Sequence, residues 1–243
     1  MSGARLVLER AVLTELAPVL RRAVSLEPAC LARIRLAPST ASVLVRLPFG
    51  VLAARTIAAE HAAESVDATV GALALLDWLD AEPDHNPDAD RTTDRAGGSA
   101  AGRAAHASLG PETRDADWRG GLPPDTGWQR VDTVPDDVVR GLVRTGALAL
   151  KEAAAREGGP GAQPRAEVAA ALLDSVVLTV TDDDCALRAE VTLRALSALT
   201  RMGFLPRTSH LAVDLAGRWI RVAAAYGSIF IERPGLGLGL VAR

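Results

Sequence analysis

Hydrophobic and polar positions in this chain recur in two periods, and the switches between them mark its elements. Residues 5–9 (RLVLE) read as a strand. Over 11–24, Val12, Leu13, Leu16, Val19, Leu20 and Val24 fall at helical spacing, with Pro18 inside as an expected kink. Ala32, Ile34 and Leu36 then alternate with Arg33 and Arg35, which predicts a strand. Residues 42–47, 49–58 and 65–70 predict three more. Residues 71–80 (GALALLDWLD) predict a helix with Leu73, Leu76 and Leu79 on its inner side.

The pattern then breaks. From Pro83 to Asp117 the only large aliphatic residue is Leu109, so the segment cannot bury enough apolar area to offset its ordering entropy. Residues 82–117 are expected to be a disordered linker between an N-terminal module, 1–81, and a C-terminal module, 118–243. A short flexible insert is expected at 157–166 (EGGPGAQPRA). In the second module, 128–134 predicts a strand. Pro135, Asp136 and Asp137 suit the first turn of a helix, with Val139, Leu142, Val143, Gly146, Leu150 and Ala153 on its buried side. Strands are predicted at 176–181 and 187–193, and a helix at 194–204 with Leu196, Leu199 and Met202 inward. A meander follows at 210–215, 218–224 and 228–233, turning at Ala216-Gly217 and Tyr226-Gly227. The class is α+β: mostly antiparallel sheets with helices on one face.

Two strand-to-helix passages echo each other. Asp67-Ala68-Thr69-Val70-Gly71-Ala72-Leu73-Ala74-Leu75-Leu76 aligns with Glu190-Val191-Thr192-Leu193-Arg194-Ala195-Leu196-Ser197-Ala198-Leu199. The opening RLVLERAVLTELAPVL resembles the first strand and helix of a DNA sliding clamp. RAEVTLRALSALTRMGF, with HLAVDLAGRWIRVAAAYGSIFIER, resembles a clamp's later strand, helix and closing meander. The resemblance implies a repeated β-α-β-β-β unit, with helices lining a ring and sheets outside it. The first module lacks three strands that a complete clamp domain would have after residues 71–80. Separately, the Ala/Arg-rich style and the GRWIRVAAAYGSIFIERP ending resemble an actinobacterial protein family of unknown function, which carries no activity to transfer.

Composition narrows the chemistry. Hydrophobic residues make up 49% and aromatics only 3%, so the core must be Leu, Val and Ala. The net charge of −3 gives no overall pull toward nucleic acid or membrane. Lys151 is the only lysine among 27 basic residues; GC-rich codon usage accounts for that, and selection for Arg at phosphate sites is the alternative. Cys30 and Cys185 form no CxxC pair or disulfide framework. The start lacks an apolar h-region and no run reaches the ~18 apolar residues of a membrane span, so a cytoplasmic protein is expected.

The candidate sites are few. Arg140, Arg144 and Lys151 on one predicted helix, and Arg194 and Arg201 on another, oppose the apolar faces. They form a candidate nucleic-acid face, weighed against an ordinary solvated surface. Trp118 and Trp128 bracket a Gly/Pro turn and are candidate anchors for a protein partner, or else dock onto their own module. His61 with Glu60 and Glu64 lacks a second ligand cluster. Asp182-Asp183-Asp184 reads as a turn ahead of a cation site. His85 and His106 fall in the expected linker, and Ser209-His210 with Asp214 makes no triad. No phosphate-loop or nucleophile-elbow motif occurs. No catalytic, cofactor-binding or metal residue is assigned, and no cofactor is expected. The leading expectation is a non-enzymatic binding or scaffold protein, assembling as a homo-oligomer. The alternatives are a small-molecule enzyme with a site between the modules, or an adaptor using the Trp118–Trp128 segment.

Overall fold

A computed structural model describes residues 5–9, 13–48, 50–59, 65–81, 107–155 and 165–233. In chain order the first elements are β1 (Arg5–Glu9), α1 (Ala17–Leu26), β2 (Leu31–Ala37), β3 (Thr40–Arg46), β4 (Leu52–Ala58), β5 (Val66–Gly71), α2 (Ala72–Asp80) and β6 (Ala107–Glu112). Then come β7 (Gln129–Pro135), α3 (Asp136–Ala155), α4 (Arg165–Asp174), β8 (Val176–Thr181), β9 (Arg188–Thr192), α5 (Leu193–Arg201), β10 (His210–Ala216), β11 (Trp219–Ala224) and β12 (Gly227–Glu232). The fold is α+β with antiparallel pairing throughout the described ladders. The β-α-β-β-β order occurs intact twice, as β1-α1-β2-β3-β4 and as β9-α5-β10-β11-β12. The chain divides into two compact units, Met1–Val43 with Ile57–Trp118, and Leu44–Thr56 with Arg119–Arg243.

In the first unit, β2 lies between β5 and β3. Its alternation is the sequence pattern realised: Ala32, Ile34 and Leu36 are buried, and Arg33 and Arg35 are half-buried on the other face. Pairing with β5 runs from Leu31 opposite Gly71 to Leu36 opposite Val66. Pro18 sits in the first turn of α1, where its missing N–H has no helical acceptor to satisfy. Leu13 and Thr14 are also helical, and the turn at Glu15-Leu16 that separates them from α1 falls just ahead of the proline expected to kink this stretch. Helix α2 follows β5 without a break, and the Ala72 N–H bonds to the Cys30 carbonyl at 3.0 Å. That bond fixes the helix phase so that Ala72, Leu75 and Leu76 are buried while Leu73 is 45% exposed. The inner face expected from Leu73, Leu76 and Leu79 is thus rotated.

The expected linker is corrected at its end. Residues 107–112 form β6, antiparallel to β1, and 115–117 form a 3₁₀ turn. The Asp115 carboxylate accepts the Thr69 N–H at 2.6 Å, and the Arg114 N–H donates to the Thr69 carbonyl at 2.7 Å. Two bonds to one residue of β5 order a stretch that has almost no apolar side chains. Residues 82–106 of the expected linker lie outside the described residues, as do 157–164 of the expected insert. Arg165 and Ala166 instead begin α4, a helix where no element was expected.

In the second unit, strands run in the order β4-β12-β11-β10-β7. The meander buries Leu211, Val213, Leu215, Ile220, Val222, Ile229 and Ile231. Gly227 allows a close approach of backbone: a Cβ there would sit 2.7 Å from the Ala54 carbonyl oxygen and from the Phe204 ring. Asp214, 2% exposed, is held by the guanidinium groups of Arg130 and Arg221, the latter at 2.8 Å. This satisfies the one carboxylate that the unit buries among its described residues. Helix α5 is N-capped by the Thr192 hydroxyl, which accepts the Ala195 N–H at 3.4 Å. It buries Leu193, Ala195, Leu196, Ala198 and Leu199, with Met202 just beyond it. Of α3 only Val139 and Gly146 are fully buried; Leu142, Val143, Leu150 and Ala153 are half-buried. Strands β8 and β9 pair only with each other, as a two-stranded ribbon.

Candidate docking site

The second unit carries an open cavity of about 420 Å³. Its apolar floor comes from three directions. Val51 and Leu52 follow the turn between β3 and β4, where Gly50 adopts φ +79°. Trp219 and Ile231 come from β11 and β12, and Val176 from β8. The remaining wall is the backbone of Gly120-Gly121, in the segment bracketed by the two tryptophans. Both glycines let arginines lie against the main chain. A Cβ on Gly120 would meet the Arg46 guanidinium at 3.0 Å, and one on Gly121 would run into that of Arg218. The Arg46 guanidinium also donates to the Arg119 carbonyl.

Three charge pairs lie at the rim, all within the unit. Arg194 pairs with Asp174 at 2.7 Å, Arg188 with Glu190 at 2.8 Å, and Arg218 with Glu232 at 3.5 Å. Arg218 lies over the Trp219 ring, 5.6 Å from its centroid. An apolar floor inside a ring of neutralised charges suits an uncharged or apolar side chain presented by a larger molecule. Among the described residues, no group of three or more His, Cys, Asp or Glu is placed to hold a metal.

The residues singled out from sequence separate into different environments. Arg140 is spent on its own unit: it bonds Asp136 at 3.0 Å and the Leu205 carbonyl at 2.6 Å. This Arg140 bond holds the Asp136 carboxyl below the ordinary carboxylate range, with backbone bonds near Ser209 and Thr208 adding to it. Arg194 is only 12% exposed and bonds Asp174 and the Ala170 carbonyl. Both of these arginines of the candidate nucleic-acid face thus bond within their own unit. Arg144, Lys151 and Arg201 are exposed. Trp118 belongs to the first unit, half-buried, with the Arg33 guanidinium 5.9 Å from its ring. Trp128 belongs to the second. Its ring meets Phe230 at 5.5 Å and Arg221 at 4.5 Å, and its indole N–H donates to the Pro124 carbonyl at 2.9 Å. Asp182 makes a turn, with its carboxylate accepting the Leu187 N–H and its carbonyl the Cys185 N–H. His61, His85 and His106 lie outside the described residues, and His210 is exposed at the start of β10. The sequence reading missed the cavity. Its only local signal was the Gly-Gly step beside Trp118.

This arrangement of helices and antiparallel sheets is that of the bacterial DNA sliding clamps. The structure superposes on the DNA polymerase III subunit beta of Pseudomonas aeruginosa with TM-score 0.54 at 15% identity, covering 94% of this chain and 64% of that one. The sliding clamp of Caulobacter crescentus gives TM-score 0.54 at 13% identity, covering 99% and 69%. The beta subunit of Streptococcus pyogenes gives 0.54 at 11%, covering 94% and 64%. The chain therefore spans roughly two thirds of the length of these clamps, and the likeness is one of fold. In sequence, residues 1–98 match the family model described as Domain of unknown function (DUF8010), and residues 123–236 match Domain of unknown function (DUF8185). No curated protein matches the chain. Among the described residues, no helix is long and apolar enough to cross a membrane.

Proposed function

We propose that this chain is a non-enzymatic scaffold that docks an apolar segment of a partner protein in the cavity of its second unit. The observation that carries this reading is the pairing of rim charges around an apolar floor of Val51, Leu52, Val176, Trp219 and Ile231. Such a site rewards burial of an apolar anchor. The Gly120-Gly121 wall also fits the adaptor role expected of the Trp-bracketed segment, with glycine backbone rather than indole at the site.

The test is a displayed peptide library panned against the full chain, followed by anisotropy titration of a recovered peptide. Val176 is 46% exposed, so Val176→Arg can obstruct the cavity with little effect on the core. Affinity should fall at least about tenfold in Val176→Arg and hold in Lys151→Ala. No enriched peptide, or equal binding by Val176→Arg, refutes the reading. A second reading, weak association with nucleic acid, rests on exposed Arg144, Lys151 and Arg201. It predicts salt-sensitive binding of a labelled duplex that the triple alanine variant loses. Self-association is the remaining element of the proposal, favoured by a β8–β9 ribbon with no further strand paired to it among the described residues.

A further inference from the structure

We infer that residues 236–240 of this chain are the resident occupant of the cavity, and that a partner segment gains its place by displacing them. The competition rests on the reading of the cavity as a docking site; the occupancy does not. Residues 234–243 lie outside the described residues. The strand that leads into them is part of the site: Ile231 and Glu232, at the end of β12, both line the cavity. Leu236 follows Glu232 by four positions, about 13 Å of extended chain. The segment is thus tethered at the rim, where a short flexible tether gives an effective concentration on the order of millimolar.

The exit from β12 is pinned beside the cavity. The Arg233 N–H donates to the Arg218 carbonyl at 2.8 Å, and its guanidinium donates to the Arg188 carbonyl at 3.4 Å. Arg218 and Arg188 are themselves paired with the rim carboxylates of Glu232 and Glu190. Pro234-Gly235 comes next, the residue pair that suits the two central positions of a type II turn. A reversal there returns the chain along β12. One side of that strand is taken by β11, with Ile220 opposite Ile231 and Trp219 opposite Glu232. On the other side the ladder with β4 stops at Phe230 opposite Leu52, so Ile231 and Glu232 have no strand partner there among the described residues. That uncovered side borders the cavity, whose floor includes Leu52.

The chemistry of the segment matches the site. Leu236, Leu238 and Leu240 alternate with glycine, so an extended backbone puts the three leucines on one face and no side chain on the other. The leucine face suits the floor of Val51, Leu52, Val176, Trp219 and Ile231, and it carries no charge to be stripped of water. The bare glycine face lets the backbone lie close to the Gly120-Gly121 wall. The same glycines limit the hold. Glycine loses more conformational freedom on ordering than any other residue, so each one offsets part of the gain from leucine burial. A stiffer segment with comparable apolar anchors therefore displaces this occupant.

The experiment changes the segment and reads the cavity, in the full chain throughout. Leu236→Ser, Leu238→Ser and Leu240→Ser are combined in one variant, with Leu238→Glu as a second. In either, the methyl resonances of Val176 and Ile231, which line the cavity, should move from their wild-type positions. Affinity for a peptide recovered by panning should rise at least about threefold, because the cavity no longer has to be vacated. In a Val176→Arg background the serine substitutions should leave Ile231 unmoved, since the obstructed cavity holds no segment to lose. Val176 and Ile231 methyls that stay in place in both variants overturn the inference, whatever any peptide does. Moved methyls with unchanged affinity overturn the competition, since two occupants of one floor exclude each other. Moved methyls with no peptide recovered from wild type or variant refute the docking reading and support the occupancy.

Discussion

Replacing Trp128 by alanine separates a ring that holds the fold together from one kept free for a partner. The structure assigns the indole three interactions. Arg221 lies 4.5 Å from the ring centroid, Phe230 5.5 Å away at 52°, and the N–H is bonded to Pro124. At a half-exposed site the cation–π contact contributes about 0.5–1 kcal/mol, and the aromatic pair about 0.5–1.5 kcal/mol. A half-buried indole removes on the order of 100 Å² from water, worth roughly 2.5 kcal/mol. These terms overlap, and the Arg221 guanidinium keeps its bond to Asp214, so the expected loss is about 3 kcal/mol. For a chain of this size that is a Tm decrease of about 6–12 °C. Urea unfolding followed by far-UV circular dichroism reads the loss without depending on tryptophan emission. The midpoint should fall with the slope unchanged, and Trp128→Phe should recover about half. A loss below about 0.5 kcal/mol refutes the reasoning and returns Trp128 to the role of partner anchor.

Two further outcomes follow from buried polar groups. Asp214→Asn keeps the volume but leaves two guanidinium groups facing an amide. It should cost about 2–3 kcal/mol in urea unfolding, less than a fully buried pair because Arg130 is 54% exposed and Arg221 27%. A neutral result would mean that the triad is ornamental to β7-β10-β11. Cys30 is buried, and that burial, with the Glu27 charge adding to it, pushes its thiol up from 9.0 to about 11. Because the folded value lies above the unfolded one, the unfolded chain releases its proton first as pH rises. Stability from this group is therefore complete below pH 9 and drains away between 9 and 11, by about 2 kcal/mol. Urea midpoints at pH 8 and pH 10.5 should differ more in the wild type than in Cys30→Ala. Equal differences would show that Cys30 does not titrate as its burial requires. At pH 8 iodoacetamide should label exposed Cys185 and spare Cys30.

What the sequence made legible is what alternation and helical spacing encode locally. The Arg33/Arg35 alternation in β2, the closing meander and the inward leucines of α5 all stand where their patterns put them. Three features escaped for physical reasons. Helix α4 (RAEVAAALLD) has small apolar residues all round, so it offers no period to read. Strand β6 contains a Gly-Pro step, and its evidence is tertiary, the ladder with β1. The phase of α2 is fixed by one backbone bond to Cys30, 42 positions away, which no side-chain pattern records. The environment of Arg194 escaped for the same reason. Arg194 looked solvent-facing on its own helix, but Asp174, 20 residues earlier, folds back to claim it.

The chain's two intact β-α-β-β-β passages open and close its described part. Between them the second unit carries a 20-residue α3, the helix α4 and the ribbon β8–β9. The cavity uses this part through Asp174 and Val176. A fold kept at 11–15% identity conserves packing patterns and not sites. The features a partner would read are therefore those that the repeat does not dictate. On that argument Val176→Arg should abolish docking without disturbing the meander, whereas core substitutions in β10–β12 should lower stability and docking together.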